Sequence, residues 1–154
     1  MIHSCLVYCI NVYGSANKTN MAPLIIKQKK AIRIITNAGY RDHTAPLFAR
    51  LGILPIEQQI HYSKIKFMHS FTFNKLPSSF FGMWTTKRDN EHGRMLRNMD
   101  DLVVPPHRIE LVKKLPLVSF PTAWNSEGIE KFNHVQHIYL KILKKSLLAS
   151  LPPV

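Results

Sequence analysis

Acidic residues are scarce in this 154-residue chain, and they are unevenly placed. Nine aspartates and glutamates stand against 21 lysines and arginines, which gives a formal net charge of +12 at neutral pH. The first carboxylate is Asp42, and none follows Glu130. This distribution argues against a hydrolase built on N-terminal residues, and it favours a polyphosphate partner. The alternative is a basic, solvated surface without any partner.

Cysteine and long apolar runs are also lacking. Cys5 and Cys9 are too few for a disulfide framework, so we expect reduced thiols in an intracellular protein of the nucleus or cytoplasm. No run reaches the roughly 18–20 apolar residues that span a bilayer, and we therefore expect no membrane partner. The apolar stretch 2–12 has no basic leader and no cleavage site, so it predicts a buried helix with its thiols as filler instead of a signal peptide.

Helical periodicity dominates what is present. Apolar spacing predicts a basic helix that includes residues 24–35, with Thr19 or Asn20 as its cap. Its apolar stripe comprises Leu24, Ile25, Gln28, Ala31, Ile32 and Ile35. Asn37–Gly39 predicts a helix stop, because either Gly or Asn takes the left-handed cap conformation at little cost, and Thr44 predicts a hydroxyl cap for a second helix that ends at Gly52. Further helices are predicted over 55–74 and 133–148.

The predicted fold is therefore mainly α, a small helical bundle with a short β-containing C-terminal appendage. The predicted segments are a helical domain at 1–80, a loop with short strands at 81–120, and a C-terminal helical segment at 121–154. The strand candidates are Leu102–Val104 and Leu115–Phe120. Trp84 and Trp124 are predicted to anchor the core.

Signals for catalysis or metal binding are weak. Asp100 and Asp101 form an Asp-Asp pair like a Mg²⁺ site, but Asn98 and the absence of an apolar strand before them favour two solvated aspartates. Cys5 and Cys9 with His134 and His137 would form a metal site only if the termini met. The chain contains neither a G-x-S-x-G elbow nor a G-x-x-x-x-G-K-[ST] phosphate loop. We expect no cofactor and no small-molecule substrate.

The strongest functional candidate is the basic helix with the turn after it. Cations on one helix contact phosphates without reading bases, and an aromatic residue at the turn can stack on a base. The predicted nucleic-acid-binding residues are Lys27, Lys29, Lys30, Arg33, Tyr40, Arg41 and His43. Arg94, Arg97 and Arg108 form a candidate second patch. The open alternatives are a solvated face, a protein-interaction module, a remnant with no retained activity, and a peripheral membrane binder.

Several motifs, in order along the chain, resemble one family. They are YCINVYGSANKTN at 8–20, IKQKKAIRII and YRDHTAPLFARLGIL within 24–54, FMHSFTFNKLPSSF at 67–80, His92-x-Arg94-x-x-Arg97, and Trp124-Asn125-Ser126. Together they resemble the C-terminal, thumb and post-thumb part of the reverse transcriptase of non-LTR (LINE-type, jockey-like) retrotransposons. After Ser126 the family's Leu-Pro is replaced by Glu127-Gly128.

The resemblance implies a thumb-like domain at 1–80 and a parent protein that is an RNA-directed DNA polymerase. Mg²⁺ is expected only for that full-length enzyme, because the palm carboxylates are missing from this chain. We therefore expect a non-catalytic fragment. Its expected partners are RNA or an RNA/DNA template-primer duplex, and a palm domain in a longer protein.

Overall fold

The computed structural model describes residues 2–90, 98–127 and 136–152, and these residues are mainly helical, as the sequence predicted. In chain order their helices are α1 (Ile2–Val7), α2 (Ile10–Tyr13), α3 (Lys18–Thr36), α4 (Ala45–Leu51), α5 (Ile56–Thr72), α6 (Lys87–Asn90), α7 (Glu110–Lys114), α8 (Pro116–Asn125) and α9 (Gln136–Ala149). The predicted helix over 55–74 corresponds to α5. The start of the helix predicted over 133–148 lies outside the described residues, as do His134, Arg94 and Arg97.

The chain folds into two compact units. Unit 1 comprises Met1–Tyr62 and Leu140–Val154, and unit 2 comprises Ser63–Tyr139. Within unit 1, Gln58 Nε2 donates a hydrogen bond of 3.3 Å to Ser150 Oγ. This division differs from the segments 1–80, 81–120 and 121–154, because the residues after 140 belong with the N-terminal part of the chain.

Gln28 is the polar centre of unit 1. It lies on the apolar stripe of α3 and is only 6% exposed. Its Nε2 donates to the carbonyl of Leu54 at 3.1 Å, and its Oε1 accepts from the N–H of Ile56 at 2.9 Å. One side-chain amide thereby fixes the segment between α4 and α5 against α3. Both backbone groups are buried, so they need such a partner.

The N-terminal stretch differs from the single buried helix that its composition predicted. The helix is interrupted between α1 and α2 at Cys9, which takes the left-handed conformation with φ 53°. Cys5 and Cys9 are both exposed, and so are Tyr8 and Val12, while Ile10 is buried. The prediction of buried thiols as core filler is therefore wrong. A kink at Cys9 ends the helical periodicity on which that prediction depended.

The caps around α3 and α4 follow the prediction in part. α3 begins after Asn17, earlier than the predicted caps Thr19 and Asn20. It ends at Asn37, which takes the left-handed conformation with φ 53°, and Gly39 is not among the glycines with positive φ. Gly52 ends α4 with φ 62°, as predicted. Thr44 occupies the N-cap position without a capping hydroxyl bond.

Unit 2 is built on aromatic side chains. Phe67 of α5 contacts Trp84 and Phe120 edge-on, with centroid distances of 6.3 and 5.3 Å. Buried His69, two residues further along α5, stacks with Tyr139 and contacts Trp124 edge-on. Both tryptophans are buried, so the prediction that they anchor the core is confirmed.

The β content that the sequence predicted is not present in the described residues beyond an isolated bridge. Leu102 pairs antiparallel with Thr86. On its other side the Asn125 amide serves as partner, accepting from the Leu102 N–H at 3.0 Å and donating to its carbonyl at 2.8 Å. The second strand candidate, Leu115–Phe120, is wrong. Leu115 is the N-cap of α8, and residues 116–120 lie within that helix. Pro116 takes the first helical position, where a backbone N–H has no partner in the helix, so the N–H that proline lacks costs nothing there.

Candidate nucleic-acid interface

α3 presents its lysines to solvent. Lys27, Lys29 and Lys30 are exposed on a helix of 19 residues that buries Met21, Gln28 and Ile32. The ion pairs formed between two residues within 2–90, 98–127 and 136–152 use the carboxylates of Asp100, Asp101 and Glu110, and none of these pairs involves α3. The charges of these lysines are therefore available to a ligand.

Arg33 also has a structural role, because its side chain ties the turn after α3 to the helix. Its Nε and Nη2 donate to the backbone carbonyl of Asp42, at 3.1 and 3.0 Å. The Asp42 carboxylate in turn accepts from the N–H of Gly39 at 2.6 Å, and the Asp42 N–H donates to the Gly39 carbonyl at 3.1 Å. The turn that carries Tyr40 is thus closed on itself and tied to the last part of α3. A side chain at Gly39 would meet the Asp42 carboxylate at 3.2 Å.

A groove of about 430 Å³ lies beside this turn. Three predicted site residues line it, namely Lys30, Arg33 and Tyr40. The other lining residues are Ile34, Asn37 and Ala38. Ile34 and Tyr40 are 79% and 81% exposed, so the groove combines cations with unusually open apolar surface. We name these six residues the α3 groove.

The remaining predicted residues lie elsewhere on the surface of unit 1. Lys27, Arg41 and His43 are exposed but do not line the α3 groove. Lys29 lines a separate cavity of about 370 Å³, which also involves the start of α5 and the Ser150–Pro152 segment. The structure therefore brings together three of the seven predicted residues.

Sequence reasoning missed the apolar part of the interface. Ile26 and Ile34 lie outside the predicted apolar stripe and have no predicted role, and 54% and 79% of their surfaces are accessible, among the lysines of α3. Their spacing of eight residues places them on the same side of the helix as Lys30. A helical-wheel projection of α3 places Ile26 and Ile34 opposite Gln28, so their exposure could have been predicted from the sequence.

The Asp-Asp pair of unit 2 is engaged in ion pairs. The Asp100 carboxylate lies 2.9 Å from Arg88, and that of Asp101 lies 3.6 Å from Lys87. Both cations belong to α6. Asp100 is solvated as predicted, with 62% of its side chain exposed, whereas only 18% of the Asp101 side chain is exposed. The described part of the chain contains no group of three or more His, Cys, Asp or Glu side chains arranged to hold a metal ion.

Within the described ranges, no helix is both long and apolar enough to cross a bilayer. Comparison with known proteins adds no assignment: no protein-family model matches the chain, and neither the curated proteins nor the solved structures contain a match.

Proposed function

We propose that unit 1 binds the sugar–phosphate backbone of RNA or of an RNA/DNA duplex through α3. In this proposal the chain is a non-catalytic, thumb-like part of a non-LTR retrotransposon reverse transcriptase. The palm that carries the polymerase carboxylates and their Mg²⁺ lies in a longer protein, and this chain itself uses no cofactor.

The observation that carries the proposal is the set of exposed lysines on α3 without carboxylate partners among the described residues. A lysine that pairs with no carboxylate loses little when it contacts a phosphate, and the binding gains from release of condensed counterions. The lysines project from a helix that is anchored by buried Gln28, so their spacing is fixed before binding.

The test is the salt dependence of binding to a fluorescent RNA/DNA duplex, followed by anisotropy. Replacement of Lys27, Lys29 and Lys30 together by Gln should reduce the slope of log K against log salt by about 3, roughly one unit per phosphate contact. Arg33 stays unchanged, because its bonds to Asp42 support the turn.

The matched control removes the same charge from α9 by replacing the exposed residues Lys141, Lys144 and Lys145 with Gln. This variant should retain most of the slope. Equal losses in the two variants would mean that only net charge matters, and the assignment of binding to α3 would be wrong.

One observation favours a second candidate, a surface that docks a protein such as the palm. Ile26 and Ile34 are exposed on α3, and apolar residues on a surface are typical of docking sites. Protein docking through these side chains should change little with salt, whereas phosphate binding should weaken steeply. Ile26→Gln together with Ile34→Gln would abolish docking and leave the salt slope for duplex unchanged.

A further inference from the structure

We propose that the α3 groove receives one unpaired nucleotide, whose base stacks on Tyr40 and whose phosphate contacts Lys30. The chain would then bind single-stranded nucleic acid more tightly than a fully paired duplex. This inference builds on the proposed function, because the same helix supplies the phosphate contacts. It adds a preference for single-stranded nucleic acid, which contacts to the sugar–phosphate backbone alone do not provide.

The open apolar surface of the groove points to a base. Tyr40 is 81% exposed and Ile34 is 79% exposed, and both line the groove. No ring contact to Tyr40 is formed within the described ranges 2–90, 98–127 and 136–152. Paired bases have both faces covered by their neighbours, whereas an unpaired base offers a face to an aromatic ring.

The turn is built to hold Tyr40 in place before a ligand arrives. The hydrogen bonds between Gly39 and Asp42 close it, and Arg33 ties it to α3. The carboxylate of Asp42 is directed at the Gly39 N–H and does not line the groove. A stacking platform on a closed turn loses less conformational entropy on binding than one on an open loop.

The charges of the groove set the direction of the nucleotide. Asn37 ends α3, and the C-terminal end of a helix carries partial negative charge, which suits the N–H donors of a base and repels phosphate. Lys30 lies seven residues earlier, about 10 Å along the helix axis. The phosphate therefore belongs at Lys30 and the base at the end of the helix beside Tyr40.

The test compares three probes on the intact chain: a short oligouridine, the same strand annealed to its complement, and an abasic strand of equal length. Tyr40→Ala should weaken oligouridine binding on the order of 10-fold, the loss of one base–aromatic stack. Binding of the duplex should change by less than about 2-fold, and the abasic strand should bind both proteins equally. Tyr40→Phe keeps the ring and should retain oligouridine affinity.

The outcomes separate this inference from the proposed function. If Tyr40→Ala affects no probe while the Lys27, Lys29 and Lys30 variant weakens all of them, the α3 helix binds phosphates and the base site is refuted. Equal weakening of duplex and oligouridine by Tyr40→Ala would also refute it. If neither variant has any effect, the proposed function itself fails. A 5-bromouridine strand should photocrosslink to Tyr40, and a crosslink at other residues alone would contradict the site.

Discussion

The two units use positive charge in opposite ways. Unit 1 contains ten lysines and arginines and only two acidic residues, Asp42 and Glu57. All three ion pairs between described residues lie in unit 2, where Lys87, Arg88 and Lys113 are engaged. Unit 2 therefore has some of its cations in ion pairs, whereas the lysines of α3 in unit 1 have no carboxylate partner among the described residues.

The same two units share one stabilising device. In unit 1 the Gln28 amide bonds to the backbone of Leu54 and Ile56, and in unit 2 the Asn125 amide bonds to both backbone groups of Leu102. Each amide lies on a helix and serves an extended segment as a neighbouring strand would. The units therefore share this device and differ in how their surface charges are paired.

The largest expected effect is in the aromatic core of unit 2. Trp124→Ala should lower the free energy of unfolding by about 3–5 kcal/mol, because the side chain is 1% exposed and its removal leaves a cavity. Urea unfolding followed by far-UV circular dichroism measures this loss. Phe81→Ala, at an exposed position of the same unit, should cost less than about 0.5 kcal/mol. Similar losses for both would mean that the core is misplaced.

The two amides provide the next test. Gln28→Leu should cost about 2–4 kcal/mol, because two buried backbone groups lose their partners. Asn125→Leu should cost less, since Asn125 is only half-buried and water can replace the amide there. Circular dichroism reports on the whole chain, while tryptophan fluorescence reports on unit 2, where both tryptophans lie. A smaller loss for Gln28→Leu than for Asn125→Leu would contradict the comparison.

The smallest expected effect appears at alkaline pH. Burial raises the pKa of Tyr62 above its usual 10.0, so the folded state holds the proton more tightly than the unfolded chain. This contribution to stability is complete below pH 10.0 and is lost as the pH rises through the folded-state pKa. Tyr62→Phe should therefore reduce the loss of stability above pH 10.0, measured as urea midpoints. Tyr8→Phe, at an exposed position of unit 1, is the control.

Lys64 of unit 2 shifts in the other direction. Burial lowers its pKa below the usual 10.5, which disfavours the charged form in the folded state. This cost is complete below the folded-state pKa and is gone above pH 10.5, so the native chain gains stability between these two values and Lys64→Met should gain less. If both replacements changed the pH dependence in the same direction, the burial of one of the two groups would be misassigned.

Much of the fold could be predicted from local features of the sequence. α3 and α5 have strong helical periodicity, Asn37 and Gly52 end helices as expected, and the tryptophans are buried. Each of these depends on residues close in sequence or on hydrophobicity alone. The mainly α class could therefore be predicted without knowledge of tertiary contacts.

Several failures depend on distant partners, in contrast to the local kink at Cys9. Leu115–Phe120 has a composition that suits a strand, but the described residues offer it no strand partner, and Pro116 fits the first turn of α8. The role of Gln28 depends on backbone groups 26 and 28 residues away. Of the site, the basic helix was predictable from spacing, whereas the meeting of Ile34, Asn37 and Tyr40 depends on how the turn folds back.

Unit 1 is assembled from two stretches separated by the 77 residues of Ser63–Tyr139. During synthesis on a ribosome, unit 2 is therefore fully translated before the second stretch of unit 1 emerges. We expect unit 2 to fold first. Its folding brings the two stretches of unit 1 closer together and so reduces the entropic cost of their association. A nascent chain stalled before Leu140 would carry the lysines of α3 on a unit that cannot yet be complete.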